Sequence, residues 1–488
     1  MMTKIILVCW LWILNITLCA AQTSLEGKLL SLESSQIEAS DGKTYTGEWG
    51  RLEIPEFSKD PNSNLIQISF FRLKAKHSNP LPPIFILDGG PGDTPSTIQN
   101  MNRMVPILSM FNQRNDVVVV EQRGNGINTP NLTCPGSFNL PLDLPLSIDR
   151  SMSYYRKYVA NCRDYWESQN VNLKGYNVIA LSDDTDMVRR ILGYEKIMLF
   201  GGSFGSHHAL TYLKKYPDQV DRVLLTLPEG MNHTVKYPME VDKVLRQLSL
   251  LSSDGHPAYK GPSAFSDLVE SIIKQLEQHP VKAIAEHPET GEPTEIVLGG
   301  YDLQLVTALE LGRIGYRSLP QHYQEMNSGD YSWLANSAIN LRINQTRNLM
   351  AVLTDCASGA TSDRWKAVKQ QGKKAILGDA LNDINFGACD LLGFSDIGDL
   401  YRVNYYSTVP MLVIYGTQDA RTPKSNAQEL KPYFSHARFI EVQNGSHDLF
   451  QEAFSILAPY LIDYLSAVNI ASFEAPETLT VPLDLTQN

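Results

Sequence analysis

Three short apolar segments, each ending in a glycine-rich turn, most constrain the fold of this chain. They read IFILDGGPG (84–92), VVVVEQRGNG (117–126) and IMLFGGSFG (197–205), and RVLLTLP (222–228) and MLVIYGTQD (411–419) follow the same style. Strands that are apolar throughout are buried on both faces, as in a parallel sheet covered by helices. We therefore expect an α/β fold in which a mostly parallel sheet carries helices on both faces.

The strand pattern stops at about residue 230 and returns at about residue 400. Within this interval, apolar residues in segments such as AFSDLVESIIKQLEQ (264–278) recur with helical spacing. We interpret the interval as a mainly helical cap domain inserted into the α/β domain. The expected parts are a signal peptide (1–21), the first part of the core (22–229), the cap domain (230–400), the second part of the core (401–470) and a loosely held C-terminal tail (471–488).

The N-terminal residues have the layout of a secretory signal peptide. Lys4 precedes an apolar run from Ile5 to Leu18, and small residues ending at Ala21 follow. The run is shorter than the roughly 20 residues that a membrane-spanning helix needs. We expect cleavage near Ala21 and a secreted or periplasmic protein without stable membrane insertion; an uncleaved N-terminal anchor is the alternative.

Four cysteines lie outside the expected signal peptide: Cys134, Cys162, Cys356 and Cys389. An even number of cysteines in an exported chain indicates disulfides, and four cysteines permit three pairings. We expect the two pairings that close short loops, Cys134–Cys162 and Cys356–Cys389. Free buried thiols are the alternative.

Charge and motif spacing argue against several kinds of partner. The net charge is −11 and no segment clusters Lys and Arg, whereas nucleic-acid binding requires a basic face. No Cys or His spacing matches a zinc site, and GNGIN (124–128) is too short for a dinucleotide fingerprint. We expect neither a nucleic-acid partner nor a metal or cofactor.

Ser203 is the candidate nucleophile. It occupies the centre of G-x-S-x-G, between an apolar strand and a helical segment, which is the context that a nucleophile turn requires. A serine in an ordinary glycine-rich turn is the alternative. His207 and His208 lie on the helix that follows, where we expect them to point away from the Ser203 hydroxyl.

Asp419 and His447 are the candidate partners of Ser203. A serine hydroxyl needs a base, and the base needs an acid that orients it. In this type of fold the chain order is Ser, then Asp or Glu, then His. Asp419 follows the strand MLVIYG and His447 follows the strand RFIEV, so both lie at the carboxyl ends of strands.

Backbone N–H groups near Ser203 are candidates for an oxyanion hole. A tetrahedral intermediate needs donors directed at its oxyanion. One candidate is the N–H of Phe204, and the other belongs to Gly89 or Gly90 in the loop after IFIL. A plain β-turn in this loop is the alternative.

Together, these motifs resemble those of the proline iminopeptidase and tripeptidyl aminopeptidase family of α/β-hydrolases. That family carries H-G-G-P-G, D-Q-R-G and G-G-S-Y-G, then an acid in G-x-x-D-x-x-T-P and a base in a G-H-like turn. The chain has DGGPG, EQRG, GGSFG, GTQDARTP and GSHD in this order, between about Leu52 and Leu465. The resemblance implies an α/β-hydrolase fold in which the helical insertion is the cap domain.

The resemblance also implies carboxylates that hold the α-ammonium group of a substrate. Glu229, after the strand RVLLTLP, and Asp355, beside Cys356, are the candidates; ordinary loop carboxylates are the alternative. Asp88 departs from the family, which has histidine at this position, and adds a carboxylate beside the oxyanion loop.

We therefore expect an exported serine aminopeptidase that releases single residues or short peptides from the N-termini of peptide substrates. Ser203 would attack the carbonyl, His447 would accept its proton and Asp419 would orient the imidazole. One alternative is a carboxylesterase that acts on small esters or lactones. Another is a catalytically inactive binding protein with the same fold, against which the complete set of three residues argues.

Overall fold

The computed structural model describes residues 27–94, 98–483 and 485. The expected signal peptide therefore lies outside the described residues. Among the described residues, no helix combines the length and apolar character that crossing a membrane would require.

A ten-stranded sheet forms the centre of the molecule. The strands in the described residues are β1 (Lys28–Glu38), β2 (Thr44–Pro55), β3 (Leu65–Leu73), β4 (Leu81–Leu87), β5 (Asn115–Val120), β6 (Ile197–Gly202), β7 (Val220–Thr226), β8 (Val281–Glu286), β9 (Pro293–Leu298), β10 (Met411–Gly416), β11 (Ala437–Gln443) and β12 (Thr478–Thr480). Their order in the sheet is β1-β2-β3-β5-β4-β6-β7-β10-β11-β12. In this order, the pairs β1–β2, β2–β3 and β3–β5 are antiparallel, and every following pair of the sheet is parallel.

Helices connect the strands and build the insertion. In the described residues they are α1 (Ile98–Phe111), α2 (Ile148–Ser168), α3 (Val178–Ile191), α4 (Phe204–Lys215), α5 (Pro238–Gly255), α6 (Ala264–Gln278), α7 (Gly300–Leu311), α8 (Leu319–Asn327), α9 (Ser332–Asn340), α10 (Leu349–Ser358), α11 (Ser362–Gly372), α12 (Ala380–Phe386), α13 (Asp399–Arg402), α14 (Lys424–Leu430) and α15 (Leu449–Ser466). Short 3₁₀ turns lie at Leu173–Gly175, Pro217–Gln219, Ile314–Arg317, Cys389–Leu391, Lys431–Tyr433 and Ile470–Ser472.

Each face of the sheet has its own apolar core. In β6, Met198 and Phe200 face the core that α1 and α15 cover, whereas Ile197 and Leu199 face the core that α3, α4 and α14 cover. This arrangement explains why the strand is apolar at every position, because successive side chains point to opposite faces. The expected α/β fold with helices on both faces is confirmed.

The segment between β7 and β10 contains α5 to α13 and a separate antiparallel hairpin of β8 and β9. Helices α5 to α9 and the hairpin share one apolar core. The apolar spacing of this interval predicts helices and does not predict the hairpin. A second small core joins α10 to α2, which lies well before the expected start of the cap domain at residue 230.

Two disulfides lie in that second core. Cys134 is bonded to Cys162 of α2, and Cys356 of α10 is bonded to Cys389. These are the two short-loop pairings expected from the sequence. The first disulfide links α2 to the loop that precedes it, and the second links α10 to the 3₁₀ turn at Cys389–Leu391.

The C-terminal residues differ from the loosely held tail that the sequence analysis expects. Strand β12 pairs in parallel with β11, and the N–H of Val481 donates to the carbonyl of Gln443 at 3.0 Å. Val481 and Phe473 are buried in the core beneath α15. The segment is short and mostly polar, so its sequence shows no clear helical or strand periodicity. Its pairing with β11 becomes apparent only in the folded chain.

A fully buried arginine joins the inserted segment to the loop before α2. The Arg342 guanidinium donates to the carbonyls of Pro141 at 2.7 Å, Leu144 at 3.0 Å and Val297 at 2.8 Å, and it pairs with Asp302 of α7 at 2.5 Å. The side chains of Arg342 and Asp302 are 0% and 1% exposed. This ion pair therefore stands apart from the many exposed pairs on the surface.

We expect Arg342→Met to lower the free energy of unfolding by about 3–5 kcal/mol, because it leaves the Asp302 carboxylate buried without a counter-charge. Chemical denaturation followed by tryptophan fluorescence measures this loss. Lys274→Met is the matched control, since Lys274 pairs with Glu270 on an exposed helix face and such pairs contribute about 0–1 kcal/mol. Equal losses in the two variants would contradict this account.

Candidate active site

Ser203 lies in a backbone conformation that favours glycine. It is the one residue between β6 and α4, with φ of +54° and ψ of −127°. Such a backbone costs about 1–3 kcal/mol and persists only where the surroundings enforce it. The Ser203 N–H donates to the carbonyl of Thr226 on β7 at 3.1 Å, so the neighbouring strand holds the turn.

Glycines make room for this turn. A Cβ atom on Gly205 would lie 2.0 Å from the carbonyl oxygen of Leu87, and one on Gly201 would lie 2.1 Å from the carbonyl oxygen of Gly205. Helix α4 can therefore approach β4 and β6 only without side chains at these positions. The same packing directs Ser203 toward the carboxyl edge of the sheet, where open α/β sheets bind ligands.

The structure brings Ser203, His447 and Asp419 together. His447 Nε2 lies 3.0 Å from Ser203 Oγ, and His447 Nδ1 lies 2.8 Å from Asp419 Oδ2. Asp419 follows β10 and His447 follows β11, so three parallel strands deliver the three side chains to one edge of the sheet. This is the geometry of a nucleophile, a base and an orienting acid.

Asp419 is held as a carboxylate by its neighbours. Its Oδ1 accepts the N–H groups of Arg421 and Thr422 at 2.8 Å each, and its Oδ2 accepts the Thr422 hydroxyl at 2.6 Å. Burial by itself would raise the pKa of Asp419, but the charge of His447 and these hydrogen bonds hold the pKa below its usual value. The ionised acid then favours the imidazole tautomer that leaves Nε2 free to accept the Ser203 proton.

The turn that carries His447 is bonded to the inserted segment. The His447 N–H donates to the carbonyl of Gly312 at 2.9 Å, and the Asp448 carboxylate accepts the N–H of Ile314 at 3.0 Å. The Tyr316 hydroxyl donates to the carbonyl of Asn444 at 2.8 Å. The residues just after α7 therefore help to position the base.

The structure distinguishes between the two glycines proposed for the oxyanion hole. The N–H of Gly89 donates to Asp88 Oδ1 at 3.0 Å, so Asp88 occupies this donor. The N–H of Gly90 has no acceptor among the described residues, and Gly90 lines the same cavity as Ser203. The N–H of Phe204 is the first of α4 and has no intrahelical acceptor. Gly90 and Phe204 are therefore the donors without an acceptor in the described part of the chain, whereas the N–H of Gly89, the alternative to Gly90, already has one.

Gln122 holds the oxyanion loop and was missing from the candidates. Its Nε2 donates to the carbonyls of Asp88 at 3.1 Å and Gly89 at 2.9 Å, and its Oε1 accepts the N–H of Gly92 at 2.9 Å. Gln122 belongs to the segment EQRG, but the sequence does not show which side chain of this segment contacts the oxyanion loop.

The Asp88 carboxyl group lies in the same loop. Burial, together with nearby Asp93, raises the pKa of Asp88 to about 6.

A cavity of about 380 Å³ opens at Ser203 and His447. Both sequence candidates for the substrate amine, Glu229 and Asp355, line it. Its wall also contains residues that the sequence analysis did not select: Thr234, Lys236, Leu305, Leu309, Leu341, Gln345, Arg347, Ala380, Leu381, Arg421 and Thr422. Most of these belong to the inserted segment, where no local motif marks a residue as part of a site.

The two cavity carboxylates are in different electrostatic states. Glu229 pairs with Lys236 at 2.6 Å; burial raises its pKa, but Lys236 and His207 outweigh burial and lower it overall. Withdrawal from water, with help from Glu229, raises the pKa of Asp355 to about 8, although Lys236 opposes the shift. The Asp355 carboxylate makes no hydrogen bond with any residue that the structure describes.

His207 and His208 are packed away from the Ser203 hydroxyl. The His207 Nδ1 lies 3.0 Å from the carbonyl oxygen of Gly230, and the His208 Nε2 lies 3.3 Å from the hydroxyl of Thr185. Both side chains are buried, and burial lowers both pKa values, that of His208 to about 3. They serve the packing of α4.

We expect Ser203→Ala to abolish covalent labelling by a fluorophosphonate, because Ser203 Oγ is the atom that reacts. Asp419→Asn should slow labelling of Ser203 by about 10³- to 10⁴-fold, since an amide no longer enforces the His447 tautomer. The labelling rate is read from a fluorescent probe on denaturing gels. Asp463→Asn is the control, because Asp463 is exposed on α15 and lies outside the cavity lining. Equal slowing by Asp419→Asn and Asp463→Asn would contradict the assignment.

Comparison with known proteins gives the family. The sequence pattern of the alpha/beta hydrolase fold matches residues 82–454. No curated protein matches the chain in sequence.

Several solved structures are similar to the chain at low identity. An esterase from Thermogutta terrifontis is 12% identical over 89% of this chain and 98% of its own, with a TM-score of 0.35. A 2-hydroxy-6-oxo-6-phenylhexa-2,4-dienoate hydrolase from Rhodococcus sp. strain RHA1 is 13% identical over 90% and 100%, with a TM-score of 0.37. An esterase from Exiguobacterium antarcticum is 13% identical over 89% and 100%, with a TM-score of 0.37. Because the family pattern spans most of the sequence, the chain belongs to the α/β-hydrolase fold family.

Proposed function

We propose that this protein is a serine aminopeptidase of the proline iminopeptidase and tripeptidyl aminopeptidase type, which releases single residues or short peptides from peptide N-termini. The observation that carries the proposal is the position of Glu229 and Asp355, which line the same cavity as Ser203 and His447. A carboxylate in this cavity can form a charge-assisted hydrogen bond with a peptide α-ammonium group, whereas a neutral ester offers no cation for it.

The reaction would follow from the positions of the three residues. Ser203 Oγ attacks the scissile carbonyl carbon while His447 Nε2 accepts its proton, and the oxyanion that forms would accept the N–H groups of Gly90 and Phe204. His447 then donates this proton to the leaving amine, and the C–N bond breaks. Water, deprotonated by His447, attacks the acyl-enzyme, and Ser203 leaves with the proton from His447.

Asp355 is the carboxylate best suited to bind the substrate ammonium. Glu229 already pairs with Lys236 at 2.6 Å, whereas Asp355 has no partner among the described residues. An ammonium group would favour the ionised form of Asp355 and form a charge-assisted hydrogen bond with it. Glu229 would then keep Lys236 away from Asp355 and contribute negative potential.

Apolar side chains complete the cavity. Leu305, Leu309, Leu341 and Leu381, all from the inserted segment, line it. They supply apolar surface for the side chains of the residues that the enzyme releases. This combination of an apolar wall and a few polar groups suits an N-terminal peptide segment.

We also propose that the protein is exported to an oxidising compartment. The two disulfides, Cys134–Cys162 and Cys356–Cys389, support this proposal, because disulfides persist mainly in secreted and periplasmic proteins. The signal-peptide layout of residues 1–21 agrees with it.

We expect the enzyme to cleave peptides with a free N-terminus at least about 100-fold faster, in kcat/KM, than the same peptides with an acetylated N-terminus. Acetylation removes the charge that Asp355 would bind, and a buried acceptor without its donor is strongly unfavourable. Chromatographic assay of matched peptide pairs measures the ratio. Equal rates, or activity on esters alone, would exclude the aminopeptidase and favour the carboxylesterase. Absence of fluorophosphonate labelling would favour an inactive binding protein.

We expect kcat/KM for free-amine peptides to rise with pH toward about 8, because Asp355 must lose a proton to bind an ammonium group and its pKa is raised to about 8. The peptide ammonium deprotonates over the same range, at about 7.7–8.0, so kcat/KM should pass through a maximum there and fall at higher pH. Acetylated peptides have no ammonium group, so any rise that they show has another cause. Asp355→Asn should abolish the additional rise that free-amine peptides show, and it should lower their kcat/KM about 10- to 100-fold.

The control for this variant is Asp363→Asn, an exposed position in the first turn of α11. It changes the same charge outside the cavity and should keep the wild-type profile. If Asp355→Asn retained the wild-type preference for free amines, Asp355 would not be the ammonium site.

A further inference from the structure

Arg421 is a cationic residue of the catalytic cavity whose guanidinium has no hydrogen-bond or ion-pair partner among the described residues. It lies two residues after Asp419 and lines the cavity together with His447. Its guanidinium makes no hydrogen bond or ion pair with any residue that the structure describes, and its Nε is buried. A charged donor withdrawn from water without an acceptor is strongly unfavourable, so an unpartnered guanidinium in a cavity points to a ligand.

The other two cations of the cavity wall each have a hydrogen-bond partner. Lys236 pairs with Glu229 at 2.6 Å, and the Arg347 guanidinium donates to the carbonyl of Thr346 at 2.9 Å. Arg421 is the cation of this wall whose side chain has no such partner in the part of the chain that the structure describes.

Asp419, Asp448 and Glu310 act on Arg421 electrostatically, but none of them forms a hydrogen bond or an ion pair with its guanidinium. Both oxygens of Asp419 accept hydrogen bonds from His447 or from the turn at Thr422. The Asp448 carboxylate accepts a backbone N–H of the segment after α7. Burial, and after it the charge of Arg313, lower the pKa of Arg421. A further anion at the guanidinium would be favourable for the same reasons.

Arg421 lies on the side of the cavity where the leaving group departs. His447 donates its proton to the leaving amine, so the chain that follows the scissile bond lies beside His447. Arg421 shares a turn with Asp419, which is bonded to His447, and Asp93 interacts electrostatically with both His447 and Arg421.

The proposed ammonium site, Asp355, lines the same cavity as Arg421. The charged groups that act on Asp355 are Glu229 and Lys236. The lining therefore holds a carboxylate for the substrate ammonium and a separate guanidinium for an anion, together with Ser203.

We propose that Arg421 binds a carboxylate on the leaving-group side of the substrate, and that the preferred substrates are therefore short peptides with both ends free. A guanidinium matches a carboxylate in a bidentate geometry. The same chemistry could come from the C-terminus of a short peptide or from an acidic side chain after the scissile bond, and the experiment separates these sources. The inference rests on the proposed peptidase function.

The size and construction of the cavity agree with a short substrate. Its volume of about 380 Å³ is near the lower end of the roughly 300–1,000 Å³ typical of ligand pockets. The stem of Arg421 packs against Gly312, where a Cβ atom would lie 2.6 Å from the Arg421 Cγ. Glycine at 312 therefore leaves the space that the arginine side chain occupies.

The test compares trialanine as the free acid, trialanine C-terminal amide, and Ala-Ala-Glu amide. Each peptide is used in two assays: cleavage, and protection of Ser203 from a fluorophosphonate. We expect the wild type to prefer the free acid over its amide by about 10- to 100-fold in both assays, as one charge-assisted pair provides. A preference for Ala-Ala-Glu amide over trialanine amide would instead identify the acidic side chain as the source of the carboxylate. Equal behaviour of all three peptides would overturn the proposal.

Variants of Arg421 assign the preference to this residue. Arg421→Gln should bring the ratio of acid to amide close to one, and Arg421→Lys should leave an intermediate ratio because it keeps the charge but loses the planar fork. Arg190→Gln is the matched control: its side chain is 47% exposed, pairs with Asp186 of α3 and lies outside the cavity lining. It should keep the wild-type ratio. An unchanged ratio in Arg421→Gln would overturn the proposal.

The protection assay separates this inference from the proposed function. It measures binding without cleavage, so a preference for the free acid that depends on Arg421 would support the carboxylate site even if no peptide were cleaved. Conversely, cleavage of free-amine peptides with no difference between acid and amide would support the aminopeptidase and reject the Arg421 site. Thermal melting verifies that each variant is folded, and the comparison in the wild type does not depend on any variant.

Discussion

The close approach of α4 to β4 and β6 is the constraint on which the active site depends. It forces Ser203 into a backbone conformation with φ of +54° and requires glycine at 201 and 205, because any side chain there would collide with a carbonyl group. The large parallel sheet and its two cores supply the stability that compensates for this local strain. The reactive hydroxyl is thus presented by rigid elements on both sides of a single residue.

The base and its acid depend on a different support. Asp419 is fixed by its own turn, but His447 is held by one contact to Asp419 and by another to Gly312 in the inserted segment. The same segment provides most of the cavity wall. The inserted segment therefore contributes both to the position of His447 and to the surface that contacts the substrate. The charged residues of the cavity come partly from the core and partly from the insertion.

Most of the fold and of the candidate site that could be predicted from the sequence was predicted from apolar strands and the residues that follow them. The apolar runs indicate a parallel sheet, and its carboxyl edge places Ser203, Asp419 and His447 near one another. The contributions of Lys236, Arg347 and Arg421 could not be predicted, because each becomes part of the cavity only when distant segments pack together. The choice between Gly89 and Gly90 depends on one hydrogen bond to Asp88, which no spacing rule encodes.

The bond between the His447 N–H and the Gly312 carbonyl has a consequence for the architecture of the molecule. The acceptor is a backbone carbonyl, so its place depends on the course of the loop after α7 and not on a particular side chain. A graft that moved this loop would remove the acceptor that orients the base, and a chimera should therefore carry the loop from Gly312 to Tyr316 together with the turn that it contacts.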